Sequence, residues 1–291
     1  MVKTKKNKFV KLNCTPYSKT KKNKVKDSCL DKELLKKLKK LYNMRHPDNK
    51  IKVKTPLEIH KKLQSNLSSM CYSEKCWIDS LIPNNQKNMV NNLFMPNHPM
   101  EWNKNKTAWL SSIDISKVMK QYEFVNKDFR FIGPSPIDYN TIKNGICVYP
   151  ELCNMDIKKL KDSGINKVGI VFNTDPHYLS GSHWVCVFIN LDKLLFFYFD
   201  SVGDKIADET LKLYEMLNEQ NKKYYKKSMK YEDTKGFEHQ KSNTECGMYC
   251  LYVLINLLEN KLSIKSLKNI VITDNKVKLF RNKYFNNPLI N

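Results

Sequence analysis

Four polar side chains in the second half of the chain have the types and order that thiol-based acyl transfer needs. His183 stands just before Trp184 at the start of an apolar run. Asp200 closes the next apolar run, 17 residues on, and Gln240 precedes Cys246 by six residues. A thiolate is a strong nucleophile, an imidazole can take and return its proton, and a carboxylate can hold that imidazole in one tautomer. A neutral amide such as Gln240, together with the Cys246 backbone N–H, can stabilise an oxyanion. His177 and His239 are rival bases. Asp204 is a rival carboxylate, although its place after Gly203 suits a turn that caps the next helix.

These side chains are useful only if the chain brings them together. Lys167–Phe172, Trp184–Asn190 and Leu194–Asp200 read as strands, the last two joined as a hairpin across Leu191, Asp192 and Lys193. His183 and Asp200 then fall at the same end of that hairpin. GMYCLYVLINLL, from Gly247 to Leu258, is apolar on nearly every face, which only a helix inside a core can be. Cys246 lies at its amino terminus, where the helix dipole and free N–H groups stabilise a thiolate. Helices are also expected at Ile113–Tyr122 and Lys205–Asn218.

The first hundred residues read differently. Residues 1–27 are lysine-rich and are expected to form a flexible basic arm. Residues 28–82 read as a small helical domain. Its first helix is expected to be capped by Ser28, with Leu34, Leu35, Leu38, Leu41 and Tyr42 on one face. Thr55-Pro56-Leu57-Glu58 opens the next helix with a cap, a proline at the first position and an acid at the third. Residues 83–99, with three prolines and paired asparagines, read as a linker, and residues 100–291 as the catalytic part.

The order His-Trp, Asp, Gln-x5-Cys-Gly resembles the cysteine peptidases that process ubiquitin-like proteins of the SUMO type, together with their viral relatives. Those relatives include the adenovirus maturation protease and the polyprotein proteases of African swine fever virus and mimivirus type. Trp109-Leu110-Ser-Ser-Ile113, Asn173-Thr174-Asp175 and Asn243-Thr244-Glu245-Cys246-Gly247 are similar to the viral members. Glu245 stands where cellular members usually have Asp. The resemblance implies an α+β catalytic domain, a central mixed sheet flanked by helices, preceded by a small helical domain. It implies a His183–Asp200–Cys246 triad with Gln240 in the oxyanion hole, and Trp184 and Trp109 walling a channel that admits glycine. It further implies cleavage of viral core or capsid precursors after Gly-Gly or Ala-Gly, in the virion and host-cell cytoplasm (the viral factory). No metal or organic cofactor is implied, although DNA or a peptide could serve as activator. The alternative activities are an isopeptidase acting on ubiquitin-like modifiers and an acetyl transferase. Asp200 argues against the second, since those members usually carry Glu there.

Composition narrows the partners. The chain has 291 residues and a net charge of +22, of which residues 1–54 carry +15. A polybasic segment senses polyanions through counterion release, so non-specific nucleic acid is a candidate partner. Only Arg45, Arg130 and Arg281 are arginines, which leaves few forks for reading bases. The Lys222–Lys230 stretch, with Tyr224 and Tyr225, is a second basic cluster. A basic scaffold that packages DNA without catalysis is the non-enzyme alternative. No apolar run is long enough to span a membrane, and the amino-terminal charges lack the apolar segment of a secretory signal, so no membrane partner is expected. Nine cysteines, an odd number, predict reduced and mostly buried thiols; a zinc site from Cys14, Cys29, Cys71 and Cys76 is the weaker alternative.

Overall fold

A computed structural model describes residues 9–21, 24–90 and 92–287, the side chains of 88 and 89 excepted. The chain divides into two compact units. One is Met1–Met100 with Asn282–Asn291, and the other is Glu101–Arg281.

The first unit contains α1 (Pro16–Thr20), α2 (Lys32–Arg45), α3 (Pro56–Asn66) and α4 (Glu74–Leu81). Its core joins Leu30, from the turn before α2, with Leu35, Leu38, Tyr42, Ile59, Leu63, Trp77 and Leu81, the inward stripes of the three longer helices. Thr55 caps α3 as its sequence indicates, its hydroxyl accepting from Glu58 N. The first long helix starts later than expected. Asp31, not Ser28, is its cap, accepting from Leu34 N, while the Ser28 hydroxyl is spent on Leu30 N in the preceding turn. Over residues 9–21 and 24–27 the segment read as a flexible arm is instead structured. It carries α1, and Cys14 forms a bridge to Phe94 and a disulfide with Cys29. Residues 1–8, 22 and 23 of that arm lie outside the described residues. The segment read as a linker buries Val90, Leu93 and Met95 in the same unit, and Asn286 bonds back to Asn13 and Met95. The first unit therefore takes the end of the chain as well as its beginning.

Three disulfides, Cys14–Cys29, Cys71–Cys76 and Cys147–Cys153, correct the expectation of reduced thiols. They also consume the four thiols of the zinc alternative. Cys186, Cys246 and Cys250 remain free and buried.

The second unit is α+β. Helix α5 (Ser112–Val125) begins with a capping box between Ser111 and Asp114. Then come β1 (Phe129–Pro136), a small hairpin of β2 (Ile142–Lys143) and β3 (Ile146–Cys147), α6 (Pro150–Cys153) and α7 (Ile157–Asp162). β4 (Lys167–Asn173), β5 (Trp184–Asn190) and β6 (Leu195–Phe199) follow, then α8 (Asp208–Tyr225), β7 (Lys230–Asp233) and α9 (Cys246–Leu258). Two short helices, α10 (Ile264–Leu267) and α11 (Asp274–Lys278), complete the unit. The five-stranded sheet has the order β1-β4-β5-β6-β7 and is mixed: β4–β5–β6 is an antiparallel meander, and the outer strands join it in parallel.

Alternate residues of the sheet (Val168, Ile170, Phe172, Val185, Val187, Ile189) pack with Ile157 of α7 and with Leu213 and Leu217 of α8. The intervening residues face α9. At Gly169 a Cβ would lie 2.9 Å from the Phe129 ring and 3.5 Å from Leu254 of α9, so the absent side chain lets that helix sit close. Every residue of α9 except Asn256 is buried, which is why its sequence shows no polar stripe. Helix α8 starts three residues later than expected, and Asp204 lies before it without capping it.

Candidate active site

The hairpin places the first two groups. Its register pairs Cys186 with Phe199, so His183, one residue before β5, and Asp200, one residue after β6, emerge at the same end. His183 Nε2 lies 2.8 Å from Asp200 Oδ1. The carboxylate is itself held, since Oδ1 also accepts from Val202 N at 3.0 Å and the Asp200 backbone exchanges two bonds with Thr234 Oγ1. With Nε2 committed to Asp200, Nδ1 is the nitrogen left for the Cys246 thiol, whose influence reaches the same ring. Burial opposes charge on this imidazole. The bond to Asp200 and then the influence of Cys246 outweigh it and hold the His183 pKa up at about 10.

Cys246 is the first residue of α9 and is 2% exposed. The loop before it is fastened from several directions. Gln240 Oε1 accepts from Ser201 Oγ at 2.8 Å, and Gln240 N donates to the Ser201 carbonyl, tying this loop to the residue after Asp200. Gln240 Nε2 donates one hydrogen to the Ser242 carbonyl, leaving its second N–H for another acceptor. Asp274 Oδ2 receives Lys241 N and Ser242 N, and the Tyr249 hydroxyl donates to the Ile272 carbonyl at 2.6 Å. Burial, reinforced by Asp274, pushes the Tyr249 phenol up, so it stays a neutral donor.

Both tryptophans are held at this loop or at the nucleophile helix. Trp184 is buried and donates Nε1–H to the Leu110 carbonyl at 3.1 Å; its ring lies against Gly247, where a Cβ would come within 3.2 Å of it. Trp109 is 45% exposed, and its Nε1–H donates to the Asn243 carbonyl at 2.9 Å. All six residues singled out by sequence thus occupy one neighbourhood.

The rivals lie elsewhere in the bonding network. His239 is buried, its Nδ1 accepts from Ile272 N, and burial pushes its pKa down, as for a neutral structural imidazole. His177 pairs with Asp138 at 2.6 Å in the loop before β5. Cys250, one helical turn beyond Cys246, is fully buried, and that burial, with Cys186 nearby, raises its pKa well above normal, so it remains a thiol.

Sequence reasoning missed one component. Glu245 is fully buried and pairs with Arg281, whose Nε lies 2.9 Å from Glu245 Oε2. The same guanidinium donates to the Ala108 carbonyl at 2.9 Å and the Thr244 carbonyl at 3.3 Å, and lies over the Trp102 ring at 4.3 Å. One arginine therefore joins the residue before the nucleophile to the residue before Trp109. The available signals were the scarcity of arginine and an acid embedded beside a buried helix; neither names its partner. Among the described residues no group of three or more His, Cys, Asp or Glu is placed to hold a metal. No helix is long and apolar enough to cross a membrane among them.

Comparison with known proteins agrees with this geometry. Residues 158–289 match the model of the Ulp1 protease family, C-terminal catalytic domain. A thiol protease of Acanthamoeba polyphaga mimivirus is 29% identical over 222 residues, 75% of this chain and 68% of the relative. A protease of African swine fever virus, described as a SUMO-1 cysteine protease, is 28% identical over 192 residues, 62% of this chain and 69% of the relative. The crystal structure of an African swine fever virus protease superposes with a TM-score of 0.67 at 21% identity, covering 96% of this chain and 97% of that one. At that identity the likeness establishes the fold.

Proposed function

Because this chain is a cysteine peptidase with a catalytic domain of the Ulp1 protease family, we propose that it is an endopeptidase that cuts viral core or capsid precursors after Gly-Gly or Ala-Gly during virion maturation. The observation that carries the catalytic roles is the His183 imidazole seated between the Asp200 carboxylate and the Cys246 thiol. In the proposed cycle, Nδ1 of His183 takes the thiol proton and Cys246 Sγ attacks the scissile carbonyl carbon. The Cys246 amide and the free N–H of Gln240 receive the oxyanion. The tetrahedral adduct collapses to a thioester as the imidazolium gives its proton to the leaving amine. Water, deprotonated by the same imidazole, then releases the acid and regenerates the thiol. Asp200 keeps the ring in the tautomer that presents Nδ1.

Trp184 against Gly247, with Trp109 fastened to Asn243, supports a narrow approach to Cys246 that suits residues without side chains. Precursor proteins are accordingly the proposed partners, the virion and host-cell cytoplasm the proposed location, and DNA or a peptide the class of activator to test. A second reading, an isopeptidase acting on ubiquitin-like modifiers, is favoured by the SUMO-1 cysteine protease description of the swine fever virus relative.

The deciding experiment uses peptides bearing Gly-Gly-X and Ala-Gly-X, with and without DNA, beside a SUMO fusion with a Gly-Gly tail; Cys246→Ala is the control. Peptide cleavage lost in the variant supports the endopeptidase. Cleavage of the folded fusion alone supports the isopeptidase. Turnover that persists in Cys246→Ala would overturn the nucleophile.

A further inference from the structure

A groove in the helical unit has no part in the chemistry above. It measures about 770 Å³ and is lined by lysines 36, 39, 40, 50 and 54 with Asn43, Met44, Pro47 and Ile59; no carboxylate lines it. Five cations around one concavity repel one another, and a structure that only needed solubility could have spread them over convex surface. We infer that this groove binds the phosphodiester backbone of a nucleic-acid strand.

The groove is constructed, with two walls held in register. Lys36, Lys39, Lys40 and Asn43 follow the three- and four-residue spacing of one face of α2, while Leu35, Leu38 and Tyr42 occupy the buried face. The segment from Pro47 to Lys54 forms the second wall. Asn43 clamps it, accepting from Ile51 N at 2.7 Å and donating to the Ile51 carbonyl at 3.0 Å. Lys39 reaches across to the Val53 carbonyl at 2.6 Å. Lys40, Lys50 and Lys54 stand exposed on the two walls, while Lys36 has only a surface pairing with Glu33 at 3.2 Å. The exposed Met44 supplies apolar surface between the charges, with Ile59 buried beneath.

The match to a strand follows from spacing and residue type. The lining from Lys36 to Met44 extends about 12 Å along the helix, long enough to meet successive phosphates of one strand. Lysine ammonium groups act as point charges, so phosphates are held in any sequence and bases are not read. A flat anionic membrane would favour convex cations, whereas a threaded strand fits a groove charged along both walls. On the maturation role proposed above, such binding would hold the enzyme on nucleic acid in the particle, independently of which peptide bond it cuts.

The test measures binding of a fluorescein-labelled thymidine oligomer of about 20 nucleotides by anisotropy across a salt series, using full-length protein. The variant is Lys40→Ala/Lys50→Ala/Lys54→Ala. The control, with the same change in charge, is Lys222→Ala/Lys223→Ala/Lys227→Ala. Each lysine seated on a single-strand phosphate contributes about 0.7 to the log–log salt slope, about fivefold in affinity at 0.1 M salt. The groove variant should therefore bind about 100-fold more weakly, with a slope shallower by about 2, while the control stays within about threefold. Circular dichroism melts of both variants verify folding. Equal losses in the two variants, no wild-type binding at low salt, or tighter binding of a glutamate-rich peptide of matched charge would each overturn the inference.

Discussion

Replacing Arg281 by Met tests the argument that the loop carrying the nucleophile depends on one buried cation. The substitution keeps much of the side-chain volume and removes the charge. Glu245, with no exposure to water, would be left as an uncompensated buried carboxylate. Removing one partner of such a pair costs about 3–5 kcal/mol, whereas an exposed pair is worth about 1 or less. The carbonyls of Ala108 and Thr244 lose a charged donor in the same step. A destabilisation of about 4 kcal/mol lowers Tm by about 8–16 °C in a unit the size of Glu101–Arg281. Calorimetry of Arg281→Met, Glu245→Gln and the double variant forms the assay, with peptide turnover measured on each. The double variant, having no stranded charge, should recover at least half of the lost stability. Arg281→Lys, which retains charge without the fork, should hold stability better than turnover, because the Ala108 and Thr244 contacts position Trp109 and Cys246. The reasoning is refuted if Arg281→Met shifts Tm by less than about 3 °C, or if the double variant is no more stable than the single.

The His183 pKa, raised from 6.5 to about 10, makes stability depend on pH. Because the folded value is the higher one, the charged imidazole stabilises fully below about pH 6.5, and this contribution is lost as pH rises through about 10. The Tm advantage of wild type over His183→Gln should therefore shrink across that window, and Asp200→Asn should move the loss to lower pH; a flat difference would contradict the pairing. Gly247→Ala places a Cβ 3.2 Å from Trp184 and 3.3 Å from Leu110. It should cost about 1–2 kcal/mol by overpacking and lower kcat/KM about tenfold, as read by urea unfolding and peptide kinetics. Alkylation of the denatured, unreduced protein should modify Cys186, Cys246 and Cys250 alone, and mass spectrometry showing more labelled positions would count against the disulfides.

Local rules carried far in this chain. The apolar helix from Gly247 to Leu258, the strands around His183 and Asp200, and the cap at Thr55 follow from patterns only a few residues long, and the structure contains each. The meeting of His183 with Asp200 was legible too, because a short hairpin turn dictates which residues share an end. Where two local solutions competed, the sequence was less decisive. Ser28 and Asp31 are both good caps, and only the turn before α2 shows that the serine is already occupied by Leu30 N.

Composition misled where it had to stand in for geometry. An odd number of cysteines suggested free thiols, yet pairing depends on the distance between thiols, which a count does not contain. A lysine-rich beginning suggested a free arm, yet Cys14 and Asn13 are tied to residues far along the chain. The sequence by itself therefore determined the chemistry on offer: a cysteine at a helix start, an imidazole and a carboxylate at one hairpin end, and an amide just upstream. Only the tertiary structure decided what holds those groups in place. Arg281 reaches Glu245 across 36 residues, β1 and β7 join the sheet in parallel, and the lysines of α2 face those of the next segment across a groove. Short-range pattern is written by backbone periodicity and hydrogen-bonding rules that act within a few residues. Partners distant in sequence are chosen by the packing of the whole chain, which no local rule encodes.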